Sequence, residues 1–106
     1  MFKVMFIVNE GTKMSREDAL TYWRTTHGDV ARKIPNVQTY VQSHAMATPD
    51  GSKPPFLGIA EMTFASEATF KEAAGSPQFA AAIADLANFA DPEKLPTVIA
   101  QVHAIV

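Results

Sequence analysis

The sequence predicts an α+β fold of the ferredoxin-like type, with helices packed on one face of a four-stranded antiparallel sheet. Two observations lead to this class. Four segments are predicted strands, three of them by clear alternation, and helical segments complete the order βαββαβ. The length of 106 residues, with 47% hydrophobic residues, suits a single domain over residues 1–106 with a core of its own.

The first strand and the first helix occupy the N-terminal third. Residues 2–9 alternate between two faces that are both mostly apolar, which predicts a strand. Ser15 suits a helix N-cap, and Pro35 cannot continue a helix, so the helix is predicted to run to about Lys33. Its apolar positions recur at helical spacing: Ala19, Leu20, Trp23, Val30, Ala31 and Ile34.

Two strands and a long turn follow. Residues 36–46, "NVQTYVQSHAM", alternate cleanly and predict the second strand. The stretch "ATPDGSKPPFLG" is rich in proline and glycine, which is typical of a turn or flap rather than an interdomain linker. The third strand is "GIAEMTFA", residues 58–65.

The second helical region and the last strand complete the pattern. Ser66 is a predicted N-cap and Gly75 a predicted end for a short helix, after which Ser76 caps a second piece through "QFAAAIADLANF". The final segment, "LPTVIAQVHAIV" at residues 95–106, alternates throughout and predicts the fourth strand.

Composition excludes several functional classes. The net charge is −2 and no basic stripe occurs, so nucleic acid is not an expected partner. The absence of cysteine excludes disulfides, thiolate chemistry and cysteine-ligated metals. The apolar N-terminus is too short for a membrane span and lacks the features of a signal peptide, so we expect a cytoplasmic protein without membrane association.

The two-faced strands predict a homodimer. Helices cover only one face of a ferredoxin-like sheet, yet the first and last strands carry apolar residues on both faces. The uncovered face would then expose an apolar patch larger than soluble monomers usually carry. Packing of this face against the same face of a second copy would bury the patch, although scattered apolar surface residues are also common.

His27 is the first candidate for chemistry. It lies four residues after Trp23 and seven after Leu20, so it belongs to the apolar stripe that faces the sheet. A histidine can accept or donate a proton near neutral pH, which suits a general acid or base. Gly28 beside it suggests close approach by a ligand or backbone. The alternative is a core histidine with a packing glycine next to it.

The second strand carries an unusually polar row in which Tyr40, Gln42 and His44 share one face with Gln38. If this row faces the helices, Tyr40 and His27 could border one cavity, and the tyrosine hydroxyl could polarise a ligand oxygen. If it faces a dimer partner, it is a polar seam. The three histidines lack metal-ligand spacing, and no nucleotide-binding or serine-hydrolase motif occurs, so neither a metal nor a cofactor is predicted.

The N-terminal half resembles the EthD-like family, named for a protein of ethyl tert-butyl ether degradation. The resemblance rests on "MFKVMFIV" and on the spacing of Trp23, His27, Pro35 and Tyr40. It implies a dimeric α+β barrel with a ligand pocket in each subunit between sheet and helices. Family members similar to methylmuconolactone methylisomerases imply cofactor-free chemistry by a histidine and a tyrosine at the positions of His27 and Tyr40.

These observations predict a small cofactor-independent enzyme, of isomerase, dehydratase/cyclase or monooxygenase type, acting on a small cyclic or aromatic oxygenated metabolite. His27 would move a proton and Tyr40 would bind the ligand oxygen, while Trp23, Gln42 and His44 would bind the substrate. The alternative is a non-catalytic accessory protein that binds a small molecule in an oxidative degradation system. Haem binding by a histidine is a third, less favoured reading.

Overall fold

The sheet consists of β1 (Phe2–Val8), β2 (Thr39–His44), β3 (Gly58–Phe64) and β4 (Thr97–Gln101). The strands lie in the spatial order β2-β3-β1-β4, and every neighbouring pair is antiparallel. The structure is a computed structural model that describes residues 1–106. The predicted ferredoxin-like βαββαβ arrangement is confirmed.

The first helical segment has three parts. α1 (Arg16–Tyr22) leads into a π-helical turn at residues 23–27, and α2 (Gly28–Ala31) continues the helix. Ser15 caps α1 as predicted, because its hydroxyl accepts a hydrogen bond from the backbone N–H of Asp18 at 3.2 Å. The helix ends slightly before the predicted Lys33, and Asn36 turns the chain towards β2 with a φ of 65°, a conformation that asparagine tolerates.

The second helical region packs beside the first. α3 (Glu67–Ala74) begins at the N-cap Ser66, and α4 (Pro77–Asp85) begins at the N-cap Ser76, both as predicted. A 3₁₀ turn at residues 86–88 extends α4. Because α2 packs against α4, residues of the π turn and of the C-terminal end of α4 can meet. No helix is both long and apolar enough to cross a membrane.

The hydrophobic core lies between the helices and one face of the sheet. On β1 it includes Val4, Phe6 and Val8, which alternate with less buried neighbours. Trp23, Phe64 and Phe89 are among the largest side chains with almost no exposed surface. Other core residues come from both helical regions and from the loop before β3, including Ala19, Ala31, Ile34, Leu57, Ala82 and Leu86.

The opposite sheet face carries no helix and is partly apolar. Val41 pairs across the sheet with Glu61, which pairs with Met5, which in turn pairs with Val98, so these residues share the uncovered face. Val41 and Val98 are each about half exposed, at 48% and 49%. Polar pairs interrupt the face, including an ion pair of Lys3 with Glu61 at 3.7 Å.

The last strand is shorter than the alternation predicted. β4 ends at Gln101, and residues 102–106 form no strand, so the prediction of a strand through residue 106 is wrong. The reason lies in its partner. Gln101 pairs with Phe2, the first residue of β1. Beyond Gln101, the backbone makes one further hydrogen bond, from the Val102 N–H to the carbonyl of Met1. Alternation alone does not provide the backbone partner that a strand needs.

Candidate functional site

A small cavity lies between the first helical segment, α4 and the sheet. Its volume is about 30 Å³, and its walls are almost entirely apolar. The polar side chains at its walls are those of His27, Trp23 and Tyr40. The remaining lining residues are Phe6, Val8, Ile34, Ala60, Met62, Phe79, Ala82, Ile83, Leu86 and Leu95.

Tyr40 reaches this cavity because of its register in the sheet. It pairs with Met62, which pairs with Val4, and both of these side chains are buried on the face that the helices cover. Residues directly opposite one another across a sheet project from the same face. The polar row of β2 therefore faces the helices and not the uncovered side of the sheet.

His27 is held by a carboxylate from the other helical region. Its Nδ1 lies 2.8 Å from Oδ2 of Asp85, the last residue of α4. The ring also packs against Phe89, with centroids 4.9 Å apart, and the residue is only 5% exposed. The Nε2 atom makes no hydrogen bond within the chain. His27, which lines the cavity, thus has one hydrogen-bonded ring nitrogen and one without a partner in the chain.

Asp85 accepts two further hydrogen bonds at its second oxygen. The hydroxyl of Tyr22 donates to Oδ1 at 2.7 Å, and the side-chain amide of Asn88 donates to the same oxygen at 2.9 Å. Burial alone would raise the pKa of Asp85, but hydrogen bonds from Tyr22, Asn88 and His27 hold that pKa below its ordinary value. Asp85 is therefore a carboxylate at neutral pH.

The histidine is neutral under the same conditions. Burial lowers the pKa of His27 below its ordinary value, and the hydrogen bond and charge of Asp85 only partly oppose this. A neutral imidazole has one protonated nitrogen and one lone pair. It can act as a proton acceptor without first losing a proton to solvent.

Tyr40 belongs to a chain of hydrogen bonds that includes Gln42 and His44. The Gln42 amide donates from Nε2 to the backbone carbonyl of Trp23 at 2.8 Å and to the hydroxyl oxygen of Tyr40 at 2.9 Å. Since a backbone carbonyl only accepts, the amide oxygen must face His44, whose Nε2 donates to it at 2.8 Å. The Tyr40 oxygen is therefore an acceptor within the chain, and its own hydrogen is left without an acceptor.

The π turn supplies one acceptor of this chain. The N–H of Gly28 reaches back five residues to the carbonyl of Trp23, and the same carbonyl accepts the Gln42 amide. A Cβ at Gly28 would lie 3.6 Å from that carbonyl oxygen and 3.9 Å from the Gln42 amide, which are ordinary contacts. No neighbouring backbone or side chain of the protein therefore requires glycine at this position, contrary to the expectation of a close approach by another part of the backbone.

A second donor lies beside the tyrosine. The indole N–H of Trp23 is buried and makes no hydrogen bond. Burial raises the pKa of Tyr40, while the side chains of Gln42 and Trp23 oppose that rise. The wall at Tyr40 thus carries two N–H or O–H donors that have no acceptor in the chain.

A surface groove of about 520 Å³ runs along the outer side of this wall. Tyr40 borders both the groove and the cavity. Gln42, Gly28 and the guanidinium-bearing residues Arg24 and Arg32 border only the groove.

The structure brings together three of the five residues that the sequence singled out. Trp23, His27 and Tyr40 line one cavity. Gln42 and His44 do not line it. Gln42 donates a hydrogen bond to the hydroxyl oxygen of Tyr40, and the His44 ring stacks on Trp23 with ring centroids 4.6 Å apart. No group of three or more histidine and acidic side chains is arranged to hold a metal ion.

Sequence reasoning missed Asp85 and its partners Tyr22 and Asn88. A signal was present, because Asp85 is the single charged residue between residues 73 and 90, in a segment that is otherwise mostly apolar. A lone carboxylate on an apolar helix needs a partner when it is buried. Nothing in the sequence identified His27, 58 positions earlier, as that partner.

Comparison with known proteins adds the family. The sequence matches the EthD domain over residues 11–93, which is most of the chain. The chain belongs to the EthD family. The resemblance inferred from Trp23, His27, Pro35 and Tyr40 is thereby confirmed. No curated protein matches the chain.

Solved structures similar to this EthD chain share its fold. An ethyl tert-butyl ether degradation family protein from Bacillus halodurans C-125 has a TM-score of 0.81 at 19% identity, over 97% of this chain and 100% of that chain. A dimeric ferredoxin-like protein of unknown function from Thermobifida fusca YX has a TM-score of 0.73 at 14% identity, over 95% and 90%. One from Jannaschia sp. CCS1, also described as dimeric and ferredoxin-like and of unknown function, has a TM-score of 0.69 at 13% identity, over 95% and 98%.

Proposed function

We propose that this EthD protein is a cofactor-independent acid–base enzyme acting on a small cyclic or aromatic compound that bears a carbonyl or hydroxyl oxygen. The observation that carries the proposal is the arrangement of His27 and Tyr40 at the walls of one apolar cavity. His27 presents a nitrogen without a partner, and Tyr40 presents a hydroxyl hydrogen without an acceptor. An apolar cavity with a few polar groups is typical of small-molecule sites.

The donors and acceptors select the kind of ligand. A ligand that satisfies both walls has a removable proton facing Nε2 of His27 and an oxygen facing Tyr40 and the Trp23 N–H. A carbonyl compound with an acidic C–H next to the carbonyl has this arrangement. Nε2 would take the proton while the hydroxyl of Tyr40 stabilises the negative charge that develops on oxygen.

The cavity must open to admit such a ligand. A volume of about 30 Å³ holds only one or two water molecules, whereas small-molecule pockets usually have several hundred Å³. Phe79 and Leu95 at the wall are partly exposed, and Ile83 is 38% exposed. We infer that the ligand enters past these three side chains. Haem binding is disfavoured, since a macrocycle would require a far larger opening.

We also propose that the protein forms a homodimer through the uncovered sheet face. The half-exposed Val41 and Val98 on this face support the proposal, as do the relatives described as dimeric. Packing two such faces would give the dimeric α+β barrel that the family resemblance implies.

Proton abstraction can be tested with cyclopentanone in D₂O, by following exchange of the hydrogens next to the carbonyl. The natural chain is expected to accelerate exchange over His27→Asn by roughly a hundred- to ten-thousand-fold. His103→Asn is the matched control, because His103 lies in the exposed C-terminal segment. Equal rates for the natural chain and His27→Asn would contradict the proposal. Binding of the ketone without accelerated exchange would favour the accessory, ligand-binding alternative.

A further inference from the structure

We propose that Asp85 is a positioning residue that keeps the proton of neutral His27 on Nδ1, so that Nε2 meets the cavity as a proton acceptor. We further propose that Tyr22 and Asn88 hold Asp85 in the orientation that does this. The catalytic meaning of the arrangement rests on the proposed function. The position of the proton does not, and it can be measured separately.

The first step is the contact between His27 and Asp85. An ionised carboxylate only accepts hydrogen bonds, so at 2.8 Å from Oδ2 the Nδ1 atom must carry the hydrogen. Because the neutral ring has a single N–H, the lone pair is then on Nε2. Nε2 is the ring nitrogen that has no partner within the chain.

The second step is the environment of the other carboxylate oxygen. Oδ1 of Asp85 receives the Tyr22 hydroxyl at 2.7 Å and the Asn88 amide at 2.9 Å. Both groups donate to this atom, which is therefore an acceptor of two hydrogen bonds. Tyr22 and Asn88 come from different helical segments and together fix the plane of the carboxylate.

This arrangement makes an unusual prediction for Asp85→Asn. The new amide has the shape of the carboxylate, but one of its two ends is an N–H donor. An oxygen at the end that faces Tyr22 and Asn88 keeps both of their hydrogen bonds, and this orientation turns the amide nitrogen towards His27. Nδ1 must then accept, and the ring proton moves to Nε2. If Asp85 only linked the two helical regions, no such exchange of the ring proton would be expected.

The ring nitrogens of His27 report the tautomer directly by ¹⁵N NMR at about pH 8, where the ring is neutral. The His27 signals are identified by their loss in His27→Gln. In the natural chain we expect the tautomer with the proton on Nδ1 to be in about a tenfold excess or more. In Asp85→Asn we expect about a tenfold excess of the tautomer with the proton on Nε2. A single hydrogen bond of about 1.4 kcal/mol would give this ratio. Adding Tyr22→Phe and Asn88→Ala to Asp85→Asn frees the amide to turn, and should return protons to Nδ1.

Two results would overturn the inference. A natural chain with the proton mainly on Nε2 would do so even if no variant folds. An Asp85→Asn chain that keeps the proton on Nδ1 would show that Tyr22 and Asn88 do not set the orientation. If the tautomers behave as predicted but cyclopentanone exchange is not accelerated, the positioning inference stands and the proposed function fails.

Discussion

Tyr40 of β2 and His27 of the π turn line the same cavity, although 12 other residues separate them in the sequence. One brings an O–H that has no acceptor and the other a ring nitrogen that has no partner. The hydroxyl oxygen of Tyr40 accepts a hydrogen bond from Gln42, and Nδ1 of His27 is hydrogen-bonded to Asp85. The presence of a donor and an acceptor on two residues of one apolar cavity leads to the predictions below.

Loss of the Tyr40 hydroxyl should weaken binding of an oxygen-bearing ligand selectively. In Tyr40→Phe, cyclopentanone should bind about two- to tenfold more weakly, the value of one neutral hydrogen bond. Methylenecyclopentane has nearly the same shape without the oxygen, so its affinity should not change. Calorimetric or NMR titration of both compounds checks this, and equal weakening of the two would indicate a packing defect instead.

Acid should destabilise the fold through His27. Burial lowers the pKa of the folded-state histidine below its ordinary 6.5, so below about pH 6.5 the unfolded chain binds a proton that the folded chain does not. The free energy of unfolding should therefore fall as pH decreases through this range, by at most about 1.4 kcal/mol per pH unit for one proton.

The control for this pH dependence is His27→Gln, which keeps His44, another histidine whose pKa burial lowers. Urea unfolding of both chains between about pH 8 and pH 5 isolates the contribution of His27 as the difference in slope. Asp85 contributes only in stronger acid, because its depressed pKa preserves its contribution until the pH falls below 3.8. Identical slopes in the two chains would refute the assignment.

Two glycines near Trp23 should respond oppositely to alanine. A Cβ at Gly58 would lie 2.1 Å from the Ser43 carbonyl oxygen and 2.9 Å from the Trp23 ring, so Gly58→Ala should cost roughly 1–3 kcal/mol of stability. A Cβ at Gly28 has room, and alanine is the better helix former, so Gly28→Ala should gain up to about 1 kcal/mol. Denaturant unfolding measures both; a destabilised Gly28→Ala would revive the interpretation that the ring needs glycine beside it.

A charge on the uncovered sheet face should separate the proposed dimer. Val98→Glu would bury a carboxylate against the same face of a second copy, whereas Ala68→Glu puts the charge on an exposed position of α3. Light scattering should give two chains for the natural protein and Ala68→Glu, and one chain for Val98→Glu. A natural protein of one chain at high concentration would contradict the dimer.

The fold was largely predictable because its signals are local. Ser15, Ser66 and Ser76 each cap the helix that the sequence assigned to them, and each of the four predicted strand segments contains a strand. The end of β4 was not predictable in this way. Its length depends on where β1 begins, and alternation within a segment carries no information about its partner.

The candidate site was predictable only in part. The apolar stripe of the first helix correctly predicted that Trp23 and His27 face the sheet. The face of β2 on which Tyr40 lies depends on strand register, which the sequence left open. The pairing of His27 with Asp85 joins two helical regions and follows from tertiary packing alone. The widened turn at residues 23–27, where the Trp23 carbonyl accepts both the Gly28 N–H and the Gln42 amide, has no signature in the hydrophobic pattern.

The most direct test of the central claim is an NMR titration of the natural chain with cyclopentanone, following the rings of His27 and Tyr40 together. If the two residues border one ligand site, their resonances and those of Ile83 at the cavity wall should shift with a single common Kd. Shifts confined to Arg24 and Arg32 in the outer groove, with the His27 ring unchanged, would contradict the account.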